Sequence, residues 1–263
     1  MHFKDKVVWI TGASSGIGAA LAKILLSQGA RVILTARNEA AMQALAVEFS
    51  GNEITILPAD LTDATSISQI TQQAIAAFGK IDVLMLNAGV SQRSAAEETD
   101  PSVYRALMEI NFFAPVAITT LLLPYFRKWG GGHIVAISSM AGLMGFPLRT
   151  GYAASKHALK GFFETLQTEH TIPALHITLV YPGRIQTPIS LSALTAKGKA
   201  HGQWDQGQLE GIPVEKCVAK ILSAVQRNKR RVIIARGEKL LWWLWFWVPA
   251  LYFRIARKKG LEG

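Results

Sequence analysis

The 263-residue sequence predicts an α/β protein, a doubly wound parallel sheet with helices on both faces. Three observations carry this expectation. Short apolar runs alternate with longer stretches of helical spacing, and the joints between them are brief. Half of the residues are hydrophobic and 17% are charged, which suits one domain with a substantial core. The first apolar run ends in a glycine-rich turn, Thr11-Gly12-Ala13-Ser14-Ser15-Gly16-Ile17-Gly18, and a helical pattern follows at once.

In chain order, Val7–Ile10 reads as a buried strand and Ala19–Leu26 as the helix after the turn. Glycines between them let the backbone bend tightly and let a phosphate approach it. The helix start then offers free N–H groups and a positive dipole end to a pyrophosphate. Arg31–Thr35 is a second strand. A carboxylate at its end would bond a ribose 2′-hydroxyl, but the chain reads Thr35-Ala36-Arg37 there. Arg37 can instead pair a 2′-phosphate, so the expected cofactor is NADP(H). Glu53–Pro58 is a third strand, followed by Asp60-Leu61. Asp60 sits where open α/β sheets bind ligands; it could also cap the next helix, as could Thr62 or Asp63.

Ile81–Leu86 is a fourth strand, and the small residues of Asn87-Ala88-Gly89 after it let backbone lie against a flat ligand. Pro101 to Trp129 has a long apolar helical pattern holding the polar Asn111. Nearby Pro115 makes a bend plausible there without any function. His133–Ile137 is a fifth strand ending in Ser138-Ser139. Met140, Leu143, Met144, Phe146 and Leu148 follow in a loop that serves either a lipophilic substrate or the core. Thr150-Gly151 then opens a helix on which Tyr152 and Lys156, four apart, share one face. Ile177–Tyr181 is a sixth strand, followed by Pro182-Gly183-Arg184-Ile185-Gln186-Thr187. Ser190 to Gly211 reads as a mobile lid.

The pieces together resemble the short-chain dehydrogenase/reductase family over roughly residues 5 to 235. The resemblance rests on the glycine turn, Asp60, Asn87-Ala88-Gly89, Asn111, Ser139, Tyr152-Ala153-Ala154-Ser155-Lys156 and Pro182-Gly183. It implies a Rossmann-type sheet of seven strands and an NADP-preferring oxidoreductase acting on a carbonyl or alcohol. It implies a catalytic tetrad of Asn111, Ser139, Tyr152 and Lys156, with Ser139 chosen over Ser138 by its spacing from Tyr152. It places Gly12, Ser14, Ser15, Gly16, Ile17, Gly18, Arg37, Asp60, Leu61, Asn87, Ala88, Gly89, Tyr152, Lys156, Pro182, Gly183, Ile185 and Thr187 against the cofactor. In this scheme Lys156 and an oxidised nicotinamide lower the pKa of Tyr152, which moves the proton. A cofactor-sensing protein without chemistry is the alternative; an epimerase or dehydratase would need an extra substrate domain, and none is visible.

The formal charge is +10, and residues 227–263 supply ten Lys and Arg against two acidic residues. The basic excess is therefore local and suits an anionic partner. Residues 1–239 form the expected catalytic domain and 240–263 a separate aromatic and basic segment. Leu240 to Phe253 has no charge and holds four of the seven tryptophans. As a helix it is too short to span a bilayer, and Pro249 would kink it. A peripheral membrane contact is expected, with Arg254, Arg257, Lys258 and Lys259 meeting anionic lipid. Burial in a subunit interface or closure of the substrate pocket are the alternatives. The aromatics are contiguous rather than interleaved with the charges, which argues against nucleic acid. Cys217, the only cysteine, excludes an internal disulfide and fits a reducing, cytoplasmic setting. No cleavable signal peptide is visible. His133, His157, His170 and His176 show no metal-ligand grouping, and a homo-oligomer is expected.

Overall fold

The structure, a computed structural model, describes residues 2–169 and 171–260, with the side chains of 258–260 excepted. His170, the side chains of Lys258 and Lys259, and residues 261–263 lie outside the described residues. In chain order the elements are β1 (Val7–Thr11), α1 (Gly16–Ser27), β2 (Arg31–Thr35), α2 (Glu39–Glu48), β3 (Ile54–Ile56), α3 (Ala64–Phe78) and β4 (Val83–Leu86). Then come α4 (Pro101–Met108), α5 (Ala114–Lys128), β5 (Gly132–Ile137), α6 (Thr150–Glu169) and β6 (Leu175–Pro182). The chain closes with α7 (Gln206–Leu209), α8 (Val214–Gln226), β7 (Arg231–Ile234), α9 (Glu238–Trp247) and α10 (Pro249–Gly260).

The seven strands form one sheet in the order β3-β2-β1-β4-β5-β6-β7, and every neighbouring pair is parallel. Strand residues are apolar on both faces because helices cover both. Val8, Ile10, Val32 and Leu34 pack under Leu21 and Leu25 of α1 and Val218 and Ile221 of α8. Val7, Trp9, Leu84 and Ile134 face the other way, toward Ile70 of α3, Ile118 and Leu122 of α5 and Phe163 of α6. Cys217 is one more buried apolar residue of the first face, and burial pushes its thiol up to about 12. Strand order turns back at β1, with β2 on one side and β4 on the other. The carboxyl ends of β1 and β4 therefore diverge into a crevice, the usual ligand position in such sheets.

One local expectation needs correction, and the choice of cap for α3 is settled. The helix expected over 101–129 is broken by one π-helical turn, Glu109–Phe113, which carries Asn111. Pro115 has no N–H to give to the carbonyl four residues back, and the N–H of Ala114 reaches five back to Glu109. The cap of α3 is Asp63, which accepts from the N–H of Thr65 at 2.9 Å. Asp60 instead closes a turn of its own by accepting from the N–H and hydroxyl of Thr62 at 2.9 and 2.8 Å.

Candidate active site

Residues from well-separated parts of the chain meet in a cleft of about 1460 Å³ along the carboxyl ends of the strands. Its floor at one end is the glycine turn. Gly12 has φ +67, and a Cβ there would lie 2.8 Å from the Cα of Ala88 and 2.9 Å from Nδ2 of Asn87. Only glycine gives both the backbone angle and the close approach of β1 to β4. Asn87 locks that approach, donating from Nδ2 to the carbonyls of Thr11 and Gly12 at 3.1 Å each. The Thr11 hydroxyl oxygen accepts from the N–H groups of Asn87 and Ala88 at 3.1 and 3.2 Å. Ser15 precedes α1 without capping it through its side chain, so the first N–H groups of the helix face the cleft. Uncapped donors, a positive dipole end and a Cβ-free turn fit the pyrophosphate of a dinucleotide.

Most of the expected cofactor residues line this one cleft: Gly12, Ser14, Ser15, Gly16, Ile17, Arg37, Asp60, Leu61, Asn87, Ala88, Gly89, Tyr152, Lys156, Pro182, Gly183, Ile185 and Thr187. Gly18 is not on the wall; it is buried under the turn, where a Cβ would meet Asn87 Nδ2 at 2.6 Å. Arg37 is exposed at the rim. Asp60 faces it, and the hydrogen bonds from Thr62, helped by the Arg37 charge, hold the carboxylate below its usual pKa. Ile185 bridges to Ile212 through the carbonyl of Arg184 and the N–H of Gln186, both at 2.9 Å, so its own amide faces away from that bridge. Thr187 is buried beside Gly16.

The reacting corner lies beyond Gly89. Tyr152 and Lys156 are both buried, and the Ser139 hydroxyl lies near enough to the Tyr152 phenol to favour its charged form. Ser139 also accepts from the N–H of Ala141 at 3.1 Å. Ser138 points elsewhere, donating to the carbonyl of Lys156 at 3.2 Å. Lys156 donates from Nζ to the carbonyl of Ile137 at 2.9 Å, and Nζ lies 6.0 Å from the Tyr152 ring centre. Asn111 sits behind this group, off the wall and fully buried. Its Oδ1 accepts from the N–H of Val90 at 3.0 Å, and its Nδ2 donates to the Val90 carbonyl and the Ser155 hydroxyl at 2.9 and 3.0 Å. A Cβ at Gly89 would meet Asn111 Oδ1 at 2.7 Å and Lys156 Nζ at 3.3 Å, so the two polar groups converge on one point. The structure thus brings the four expected catalytic residues together.

Burial, not a cation, has the largest effect on Tyr152 and raises its pKa. Ser139, Arg149 and Arg93 pull it back. Burial also lowers Lys156, to about 8, and its ammonium donates to the Ile137 carbonyl.

Residues outside the family pattern complete the site. Gln92 is fully buried, and its Oε1 accepts from the N–H groups of Gly151 and Tyr152 at 2.7 and 3.2 Å. Its Nε2 donates to Ser94, Thr99 and Thr150. It holds the start of the helix that carries Tyr152. Arg93 grips Asp205 with two nitrogens, and Arg149 donates to the same carboxylate at 3.2 Å. Burial lowers Arg149 to about 10. The cover expected over 190–211 is thereby tied to the cleft wall, and Leu194 is bridged to Gln92 as well. No local periodicity signals these ties, because Arg93 and Asp205 lie 112 residues apart. Of the loop apolars, Met140, Phe146 and Leu148 line the cleft, whereas Leu143 and Met144 pack into the core.

The segment from Leu240 folds back over the cleft as a two-helix hairpin, with Pro249 starting the second helix. Glu238 anchors it by accepting from the N–H groups of Arg184 and Arg236 at 2.9 and 3.1 Å. Leu241, Tyr252, Ile255 and Ala256 line the cleft, so part of the segment forms its wall. Its other face leaves Trp243, Phe246 and Trp247 exposed. Among the described residues, no group of three His, Cys, Asp or Glu could hold a metal.

The short chain dehydrogenase family model matches residues 6–197. A bovine "dehydrogenase/reductase SDR family member 7B" is 37% identical over 268 residues, covering 98% of this chain and 82% of the relative. A short-chain dehydrogenase of Streptomyces avermitilis superposes with TM-score 0.83 at 29% identity, over 100% of this chain and 98% of that one. One from Sphingobium yanoikuyae, solved with NADPH, gives 0.76 at 26% identity over 87% of each chain. One from Burkholderia phymatum, solved with NAD, gives 0.79 at 23% identity over 89% and 90%, and shows the fold alone.

Proposed function

The chain belongs to the short-chain dehydrogenase/reductase family of oxidoreductases, and from that premise we propose that it interconverts a lipophilic carbonyl compound and its alcohol with NADP(H). The reading is carried by the meeting of the Tyr152 phenol, the Ser139 hydroxyl and Lys156 in the cleft that the glycine turn opens. The nucleotide, when bound, supplies or accepts the hydride. Tyr152 gives its proton to the substrate oxygen during reduction and takes one during oxidation. Ser139 donates to that oxygen as negative charge grows there. Lys156 has protons left beyond its bond to Ile137, to hold a ribose hydroxyl and to keep the phenol supplied. Asn111, whose Oδ1 converges with Lys156 Nζ, steadies the path of the returning proton.

The free helix start after Gly12 would hold the pyrophosphate, and Arg37 a 2′-phosphate. The lack of a carboxylate at the end of β2 supports NADP over NAD. Met140, Phe146, Leu148 and Leu241 on the cleft wall support a lipophilic substrate. We also propose a homo-oligomer, supported by Phe113, Leu121 and Tyr125 exposed along 113–125. A peripheral contact with the cytoplasmic face of an anionic membrane is supported by the exposed aromatic face of the hairpin. The test is NADPH absorbance loss across a panel of lipophilic ketones, repeated with NADH. Turnover favouring NADPH is expected. Tight nucleotide binding with no turnover of any ketone or alcohol would give the chain to the cofactor-sensing alternative.

A further inference from the structure

The hairpin has two apolar faces, and they are not separate surfaces. The inner one is cleft wall, where the Tyr252 hydroxyl donates to the carbonyl of Gly145, next to Phe146. The outer one presents Trp243, Phe246 and Trp247 at 61%, 60% and 63% exposure. Leu240 belongs to both: it is 66% exposed and it lines the cleft. From Leu240 to Phe253 no charged side chain interrupts the surface. The exposed aromatic face therefore runs over the first turn of α9 into the mouth of the site.

We propose that this rim is a substrate portal that opens into lipid. The proposal rests on the membrane contact put forward above and adds a route: a lipophilic carbonyl compound dissolved in an anionic bilayer enters across Leu240 without crossing bulk water. The ten-residue α9 spans about 15 Å, half a hydrocarbon core, so the hairpin lies in the interface rather than through it. Tryptophans favour that depth. Arg236, Lys239, Arg254 and Arg257 are exposed at the ends of the apolar stretch. The one acidic side chain among its described flanks, Glu238, is occupied by two backbone N–H groups. That charge pattern suits phosphatidylserine headgroups. The advantage of the route is large, because each methylene exposed to water on leaving lipid costs about fourfold in partition.

The experiment uses the full chain, NADPH, a short water-soluble ketone, and a long-chain ketone carried in phosphatidylcholine vesicles with or without phosphatidylserine. The comparison variant is W243E/W247E, both positions outside the cleft wall. The wild type is expected to sediment with the anionic vesicles. It should reduce the vesicle-borne ketone at least about tenfold faster there than on neutral vesicles at equal mole fraction. The variant should lose both effects and keep its kcat/KM for the short ketone. Absence of sedimentation by the wild type would end the membrane reading itself. Sedimentation with equal rates on the two vesicle types would keep that reading and overturn the portal, and this comparison needs no variant. A wild-type dimer that W243E/W247E splits, with no vesicle binding, would assign the face to a second copy and overturn the portal too.

Discussion

Replacing Gln92 by Leu removes a buried group that serves the helix carrying Tyr152. The glutamine accepts from the N–H groups of Gly151 and Tyr152 and donates to three hydroxyls, of which those of Ser94 and Thr99 are buried with it. Leucine would leave both N–H groups unpaired, at about 1–3 kcal/mol each, so a total near 2–6 kcal/mol is expected. In a chain of this size that lowers Tm by roughly 5–25 °C. The loss should also be chemical, because the start of α6 aims the phenol at Ser139. A displacement on the order of 1 Å there costs about 100-fold in kcat. Gln92→Glu is the control. A carboxylate still accepts from both N–H groups at the positive end of the helix, and the three hydroxyls can turn to donate to it. Thermal melts and steady-state kinetics of the two variants should diverge, with Glu recovering most of both losses. Leu within about 0.5 kcal/mol of wild type, with unchanged kcat, would refute the reasoning.

Arg37→Glu should shift the NADPH-to-NADH ratio of kcat/KM toward NADH by about 100-fold, the worth of a charge-assisted phosphate pair; an unmoved ratio would clear Arg37 of that role. Lys156 has its pKa lowered from 10.5 to about 8 by burial, so between those values the unfolded chain holds the proton that the folded chain lacks. Stability from this group therefore rises with pH across that window. Below it, Lys156→Met should be more stable than wild type by about 2 kcal/mol, after the lost bond to Ile137 is counted, and urea melts at pH 7 and 10 should show the gap closing. His133 is buried, with Nδ1 unpartnered and Nε2 2.8 Å from the Thr178 hydroxyl. Burial foremost, then His176, lowers its pKa to about 4. The unfolded chain takes up this proton first, so stability falls by about 3 kcal/mol as pH drops from 6.5 to 4, and His133→Gln should flatten that slope in acid melts.

The sheet was legible in the sequence because its signals are local. An apolar run bounded by small residues marks a buried strand whatever the rest of the chain does, as at Val7–Thr11 and Gly132–Ile137. Spacing put Tyr152 and Lys156 on one helical face, but their roles were legible only through the family resemblance. The π turn at Asn111 was not, because its apolar spacing differs little from that of an α-helix. It shows only in the amide of Ala114 reaching one residue further back. The ties of Arg93, Arg149 and Asp205 depend on segments brought together by the finished fold. So does the upward pull on Tyr152, which follows from burial that no spacing reveals. The hairpin was half legible: the charge-free stretch marked one helix kinked at Pro249, where the chain instead breaks into two helices. That one face would line the cleft through Leu241 and Tyr252 was one of several open alternatives until the chain was folded.

The most direct measurement is a single-turnover experiment on Tyr152→Phe, reading NADPH absorbance with an accepted ketone beside NADPH affinity from fluorescence. Phenylalanine keeps the buried ring and removes only the hydroxyl that meets Ser139. NADPH affinity within about threefold of wild type is expected, with hydride transfer slowed by about 10³-fold, within the usual range for a lost general acid. Hydride transfer at the wild-type rate in that variant would contradict the account at its centre.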